Sequence, residues 1–159
     1  MKTRTLTALA LAVALIAPSA MAQNKAAYAK SSADFYKLSA ALSASLADLT
    51  KRATTASPND KDMLKLVVNQ LSVASASADG VLALGAVAAE MRDAGDLGIV
   101  KKHLGSQCVA MKSVTEPTAK YFDSLSANIA AVATAAEVTK ARDLLRQMGQ
   151  HALCGGGKA

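Results

Sequence analysis

The sequence contains few of the residues from which enzyme active sites are built. Among its 159 residues, histidine occurs twice and glutamate three times, and no Gly-x-Ser-x-Gly nucleophile motif is present. A serine-type hydrolase needs a nucleophile beside a base, and a di-iron bundle needs carboxylates at Glu-x-x-His spacing. Because neither arrangement occurs, the sequence predicts that the protein is not an enzyme.

Shortages of aromatic residues and cysteine exclude further classes of protein. Aromatic residues make up 3% of the chain, tryptophan is absent, and cysteine occurs twice. A β-sandwich or barrel needs alternating runs of β-branched and aromatic residues, and a disulfide-scaffolded miniprotein needs more cysteines. The basic residues stand singly or in pairs, without the basic stripe and interleaved aromatics of a nucleic-acid interface. We therefore expect no nucleic-acid partner.

The start of the chain has a basic, an apolar and a small-residue segment in that order. Lys2 and Arg4 precede an apolar stretch that ends at Pro18, and the triplet Ala-Met-Ala follows. These are the three parts of a secretory signal peptide. We predict that residues 1–22 are removed by cleavage near Ala22, and that the protein is periplasmic or secreted from a bacterium.

Loss of this segment would lower the net charge from +6 to +4, because the segment carries two basic residues and no acidic ones. A mildly positive surface favours solubility and attracts acidic partners. After residue 22, no apolar run approaches the roughly 20 residues that a membrane-spanning helix needs. The mature protein is therefore expected not to span a membrane.

Alanine accounts for 36 residues, and apolar residues recur with helical spacing in four segments of the mature chain. In the first segment they lie every seven positions, at Tyr28, Phe35, Leu42 and Leu49. This spacing places them on one face of an amphipathic helix.

Capping residues predict where the other helices begin. Ser57 followed by Pro58 fits an N-cap and a first helical position. Residues 93–98 have the composition of a turn, so the third helix is expected from about Ile99. Residues 134–137 read Thr-Ala-Ala-Glu, which is the capping-box pattern for the fourth helix.

Four amphipathic helices with short connections favour an all-α fold, an antiparallel up-down four-helix bundle. Because proline removes one backbone hydrogen bond, we expect the third helix to be kinked or split near Pro117. The bundle domain is predicted over residues 23–154, and residues 155–159 form a flexible Gly-rich tail.

Cys108 and Cys154 are the only cysteines and are predicted to form a disulfide, because an even number of cysteines in an exported protein is typical of one. Measured from the turn between helices three and four, at 1.5 Å per residue, they lie about 36 and 30 Å along antiparallel helices. Since Cys154 lies off the apolar stripe of helix four, the bond requires that helix to fray before it.

Soft metal ligands occur on the last two predicted helices, at Met111, Met148 and His151. Methionine and histidine bind copper and haem iron. The two methionines fall on apolar stripes, however, where methionine commonly fills the core. We therefore predict no cofactor and keep a copper or haem site at these three residues as the alternative.

The fourth predicted helix is much shorter than the others, so one end of the bundle should lack cover. An apolar surface between helices accepts a partner helix or an apolar ligand. Two other interpretations remain: the N-terminal segment or the Gly-rich tail folds over this end, or a second copy covers it in a homodimer. The candidate partner-binding residues at this end are Tyr28, Phe35, Met91, Leu97, Ile99 and His103.

These features together predict an exported, non-enzymatic periplasmic protein that acts by binding a protein partner, as a chaperone, an inhibitor or an adaptor does. The alternative is a carrier that holds a small ligand, a metal or haem in the space between its helices.

Overall fold

A computed structural model describes the backbone of residues 3–155 and the side chains of residues 23–155. The predicted signal peptide and tail therefore lie largely outside the described side chains and stay predictions. No strand occurs within residues 3–155. The helices are α1 (Thr3–Thr55), α2 (Pro58–Glu90), α3 (Ala94–Ser126), α4 (Val132–Gly149) and a short terminal 3-10 helix (Ala152–Cys154).

Each long helix packs against two neighbours, α1 against α2 and α4, and α3 against α2 and α4. Contacts across the α1–α2 boundary run in opposite directions. Ser39 donates a hydrogen bond to Asp79, whereas Ser32, which comes earlier in α1, lies beside Gly85, which comes later in α2. The predicted antiparallel four-helix bundle is confirmed.

The core is built on the predicted helical stripes. Phe35, Leu42 and Leu49 of α1 are completely buried. The facing stripe of α2 becomes smaller along the helix, and a side chain at Gly85 would place its Cβ 2.7 Å from the Ser32 Oγ atom. Real Cβ atoms do not approach other atoms so closely, so glycine at this position lets α1 and α2 lie close together.

The predicted start of α2 is confirmed in detail. Ser57 is the N-cap, and Pro58 occupies the first turn. The Ser57 Oγ atom accepts a hydrogen bond from the Asp60 backbone N–H at 3.3 Å. This bond satisfies one of the backbone donors that every helix leaves free at its first turn.

The third helix begins earlier than predicted, at Ala94 and not near Ile99. The Asp93 carboxylate caps it and accepts hydrogen bonds from the backbone N–H groups of Gly95 at 2.7 Å and Asp96 at 3.1 Å. Leu97, in the predicted turn, is buried. Residues with turn composition therefore form the first helical turn, because one carboxylate satisfies two free donors.

Pro117 lies inside α3 without splitting it, since the helix is continuous from Ala94 to Ser126. The proline itself is exposed. Met111 before it and Phe122 after it are both completely buried, so the apolar stripe keeps its phase across the proline. Of the two predicted alternatives, a split helix is not observed.

The capping box predicted for the fourth helix is wrong. Helix α4 begins at Val132, and its N-cap residue, Ala131, makes no side-chain capping bond. Thr134 is buried. Glu137 instead accepts hydrogen bonds from Ser45 of α1 at 2.7 Å and from Lys140 at 2.9 Å, so its carboxylate joins two helices.

The capping bond at the start of α2 predicts the effect of a single substitution. Ser57→Ala should lower the free energy of unfolding by about 1 kcal/mol, because the Asp60 N–H loses its acceptor. Urea unfolding followed by circular dichroism measures this. Ser43→Ala, at an exposed serine within α1, is the control and should change stability little. Equal stabilities for Ser57→Ala and the wild type would contradict the capping role.

Candidate functional site

The end of the bundle that the short α4 leaves open is covered by residues 151–155, which we call the C-terminal clasp. Leu153 of the clasp is 7% exposed and belongs to the core cluster. Its Cδ2 atom would lie 2.9 Å from a Cβ placed at Gly85. The terminal 3-10 helix contacts α1 and α3, which are the two neighbours of α4, so the clasp continues the position of α4 between them.

His151 anchors the start of the clasp. Its ring packs edge-on against Phe35, with the centroids 5.3 Å apart and the planes at 70°. Its Nδ1 atom accepts a hydrogen bond from the Leu153 backbone N–H at 3.2 Å. Burial lowers the pKa of His151, and the nearby Asp34 carboxylate opposes that shift. The neutral imidazole is therefore the form that fits this position.

The predicted cysteine pair closes the clasp. Cys108 and Cys154 lie at disulfide distance, with their Cα atoms 5.4 Å apart. Cys108 is buried in α3, and Cys154 lies in the terminal 3-10 helix. Because α4 ends at Gly149, the chain can turn Cys154 toward α3, as the sequence required.

The candidate partner-binding residues do not form one open surface. Phe35 and Leu97 are buried in the core, so neither is available to a partner. Tyr28 is half-buried, and the Lys101 Nζ atom lies 5.6 Å from its ring centroid. Met91 is also half-buried, and His103 is exposed.

Ile99 is the one large apolar member of the predicted set that is mainly exposed, at 60%. The chain's own clasp packs against Phe35 at this end. The alternative in which the Gly-rich tail folds over this end stays a prediction, because residues 156–159 of the tail lie outside the described residues.

The residues of the alternative metal site have other roles. Met111 and Met148 are completely buried and belong to the core cluster. The Nδ1 atom of His151 is engaged by the clasp. Within the part of the chain whose side chains are described, no group of three His, Cys, Asp or Glu residues is placed to hold a metal ion.

A depression of about 470 Å³ between α1 and α2 contains two lysines, Lys61 and Lys65. Lys65 is paired with the Asp62 carboxylate at 3.0 Å. The hydroxyls of Thr50 and Ser72 donate to carbonyls of their own helices, so they are engaged already. This depression therefore has the character of a solvated surface and not of an anion site.

The structure shows an apolar groove between α2 and α3 that sequence reasoning missed. It encloses about 400 Å³. On the α2 side, Leu66 is 43% and Val73 is 49% exposed, and on the α3 side Tyr121 is 36% exposed. No lining residue carries a charge. The lining residues are Leu66, Gln70, Val73, Ser113, Val114, Pro117, Thr118 and Tyr121.

Two polar side chains of the groove bond to each other. The Thr118 hydroxyl donates to the Gln70 Oε1 atom at 3.4 Å, and this bond joins α3 to α2. Farther along the same boundary, the Gln107 side-chain amide donates to the Ser77 carbonyl at 3.5 Å and lies over Gly80. The groove thus has largely apolar walls, and hydrogen bonds join its two helices.

One signal in the sequence could have revealed this surface. Between Lys65 and Glu90, the only charged residue of α2 is Asp79. A helix with one buried face needs polar residues on the other, and α2 has few. Uncharged residues therefore lie on both faces of α2.

Helix α2 is also the one helix, among the described residues, that is long and apolar enough to cross a membrane. A third of its most apolar window of 18 residues is buried. The core helix of a globular bundle can be equally long and apolar, so this finding does not assign α2 to a membrane.

No protein-family model, no curated protein and no solved structure matches the chain. Its function is therefore inferred from its own residues and their geometry.

The cysteine link predicts a large effect on stability. Cys154→Ser should lower the free energy of unfolding by roughly 4 kcal/mol, the chain-entropy value for a loop of this length. Thermal unfolding under oxidising conditions measures the change. The same comparison in a dithiol reductant is the control, because the wild type and the variant should then have similar melting temperatures. Equal melting temperatures without reductant would show that no bond forms.

The position of His151 predicts a pH effect with a definite sign. Because burial lowers the pKa of the folded-state imidazole below its ordinary value of 6.5, the unfolded chain binds the proton more readily. The free energy of unfolding should therefore fall as the pH drops through and below 6.5. Urea unfolding measured between neutral and mildly acidic pH tests this.

His151→Asn should remove that part of the pH dependence, since the Asn side-chain oxygen can still accept from the Leu153 N–H but does not titrate. His103→Asn, at an exposed histidine, is the matched control for the loss of a histidine side chain. An unchanged pH dependence in the His151 variant would refute the assignment.

Proposed function

We propose that the protein is an exported, non-enzymatic helical bundle that binds an apolar helical segment of a protein partner in the groove between α2 and α3. The observation that carries the proposal is the exposed, uncharged lining of that groove, with Leu66, Val73 and Tyr121 as its large apolar residues. Export rests on the signal-peptide pattern of residues 1–22.

The spacing of the walls suits a helix. Leu66 and Val73 are seven residues apart on α2, and Val114 and Tyr121 are seven residues apart on α3. Seven residues correspond to two helical turns, about 10 Å. Amphipathic helices bind such grooves through side chains at positions i, i+3, i+4 and i+7, which have the same repeat.

The groove is better suited to a polypeptide than to a small carried ligand. A carrier pocket encloses most of its ligand, about 70–90% of the surface of a drug-sized molecule. The three large apolar residues of this groove, Leu66, Val73 and Tyr121, are one-third to one-half exposed, so a small molecule would keep contact with water. Binding of a helix would instead cover the walls and remove their apolar area from water.

Site-specific photo-crosslinking in the bacterial envelope tests the proposal. A photoreactive phenylalanine analogue at Val73 should form an adduct with one protein, and mass spectrometry should map the bond to an apolar helix face. The matched control carries the analogue at Ala136, an exposed position on α4. No adduct at Val73, or the same adducts at both positions, would refute a role for the groove.

The affinity for the cross-linked partner gives a second readout. Tyr121→Ala should weaken binding about tenfold, because aromatic anchors contribute much of the energy of such interfaces. Tyr36→Ala, at an exposed tyrosine of α1 outside the groove, should leave the affinity unchanged. Equal losses from the two substitutions would argue against binding at the groove.

A further inference from the structure

The C-terminal clasp is attached to the rest of the bundle by few contacts. Its backbone hydrogen bonds end on carbonyls within residues 148–152. The bond from the Leu153 N–H to His151 also stays inside the clasp. Within residues 23–155, no hydrogen bond joins the clasp to α1, α2 or α3. The clasp is therefore held on these helices by the packing of His151 and Leu153 and by the cysteine link.

The clasp packs beside a buried polar atom. The Ser32 hydroxyl is buried and makes no hydrogen bond to any residue that the structure describes. Its Oγ atom and the Leu153 Cδ2 atom lie 2.7 and 2.9 Å from the same point, the Cβ position of a side chain at Gly85. A buried hydroxyl without a partner is destabilising, because it has lost its bonds to water. Departure of Leu153 would admit water to Ser32, so this contact favours an open clasp.

The two cysteines of the link differ in their access to solvent. Cys108 is 4% exposed in α3, whereas Cys154 is half-buried in the terminal 3-10 helix. A depression of about 310 Å³ borders the clasp, and its lining includes Tyr28 of α1, Lys101 of α3 and Leu153. Thiol exchange requires access to the sulfur that is attacked. Cys154 is therefore the cysteine that a thiol from solution reaches first.

We infer that the Cys154 Sγ atom is a site of thiol exchange with a dithiol, and that this exchange releases the clasp while the four helices stay folded. A thiolate of the dithiol attacks the Cys154 Sγ atom, the bond to Cys108 breaks, and Cys108 leaves as a thiolate that takes up a proton. The second thiol of the dithiol then displaces Cys154 as a thiol. The protein gains two electrons and two protons, and the dithiol becomes an internal disulfide.

Without the link, packing alone does not keep the clasp closed. The favourable contributions are the burial of Leu153 and the edge-on contact between His151 and Phe35. The conformational entropy of the ordered segment and the buried hydroxyl of Ser32 oppose them. Leu153 is the one clasp residue that is buried in the core cluster of the described chain. The four helices therefore keep the rest of the core when the clasp leaves.

Release of the clasp would uncover one end of the bundle. The Phe35 ring would lose its contact with His151, and α2 would lose Leu153 beside Gly85. No clasp residue lines the α2–α3 groove, so this inference is independent of the partner proposed for that groove.

Reduced glutathione tests which sulfur is attacked. It is added in excess to the oxidised mature protein without denaturant, free thiols are blocked with N-ethylmaleimide, and peptide mass spectrometry locates both groups. We expect the first adduct to carry glutathione on Cys154 and maleimide on Cys108, with the helical circular dichroism signal retained. Glutathione on Cys108 in the first adduct, or reaction only after the helical signal is lost, would overturn the inference.

Reduction by dithiothreitol under the same conditions tests whether the clasp opens locally. Leu153→Ala should speed the reduction about tenfold, because the clasp loses its core side chain. The matched control is Leu144→Ala, since this core leucine of α4 is 9% exposed, compared with 7% for Leu153. It weakens the bundle and not the clasp, so the rate should change less than about twofold. Equal acceleration by both substitutions, or none by Leu153→Ala, would overturn the inference.

The fate of the released clasp is measured in Cys154→Ser, where Cys108 is the single thiol. Maleimide should label Cys108 in the folded protein, because the clasp no longer covers it. The control is Ala141→Cys in a chain with both native cysteines replaced by serine, since Ala141 is completely buried in α4 and reports unfolding of the whole bundle. Labelling of Cys108 should be at least about tenfold faster than labelling of this control. Equal rates would show that the clasp stays closed without its link and would overturn the inference.

Discussion

The link between Cys108 and Cys154 is the constraint on which the arrangement of the bundle depends most. Helix α4 ends at Gly149, well before the far end of its neighbours, and Leu153 of the clasp completes the core. Leu153 fills the space beside Gly85, and His151 covers Phe35. A short exposed segment has little helical stability of its own. The bond to Cys108 holds this segment in place, next to the point where α1 and α2 lie close together.

The parts of the fold that local chemistry determines could be predicted from the sequence. Spacing and residue type predict the buried heptad positions Phe35, Leu42 and Leu49, the cap at Ser57 and the cysteine pairing. The start of α3 could not, because Asp93 and the glycine that follows it are residues of turns and of helix caps alike. The start of the fourth helix was predicted too late for a related reason. Glu137 suits a capping box, but Ser45 of a distant helix offers its carboxylate a better partner.

The α2–α3 groove was missed because exposure is a property of the assembled helices. The sequence pattern of α2 identifies a face that must be buried, and that face was assigned correctly. The same pattern does not say whether neighbouring helices also cover the opposite side. Leu66 and Val73 stay exposed beside the α2–α3 boundary, which the hydrogen bonds of Gln70 and Gln107 join at this surface. The predicted open end shows the opposite error. The helix lengths alone predict that this end is exposed, but the clasp packs over it.

The position of Cys154 in the chain also fixes the order in which the protein matures. Cys154 follows all four helices in the sequence, so its partner in α3 waits as a free thiol while α4 is being made. The bond can therefore form only after α4 has been made. A chain that stops within α4 lacks Cys154, so Cys108 keeps its thiol and has no cysteine partner within the chain.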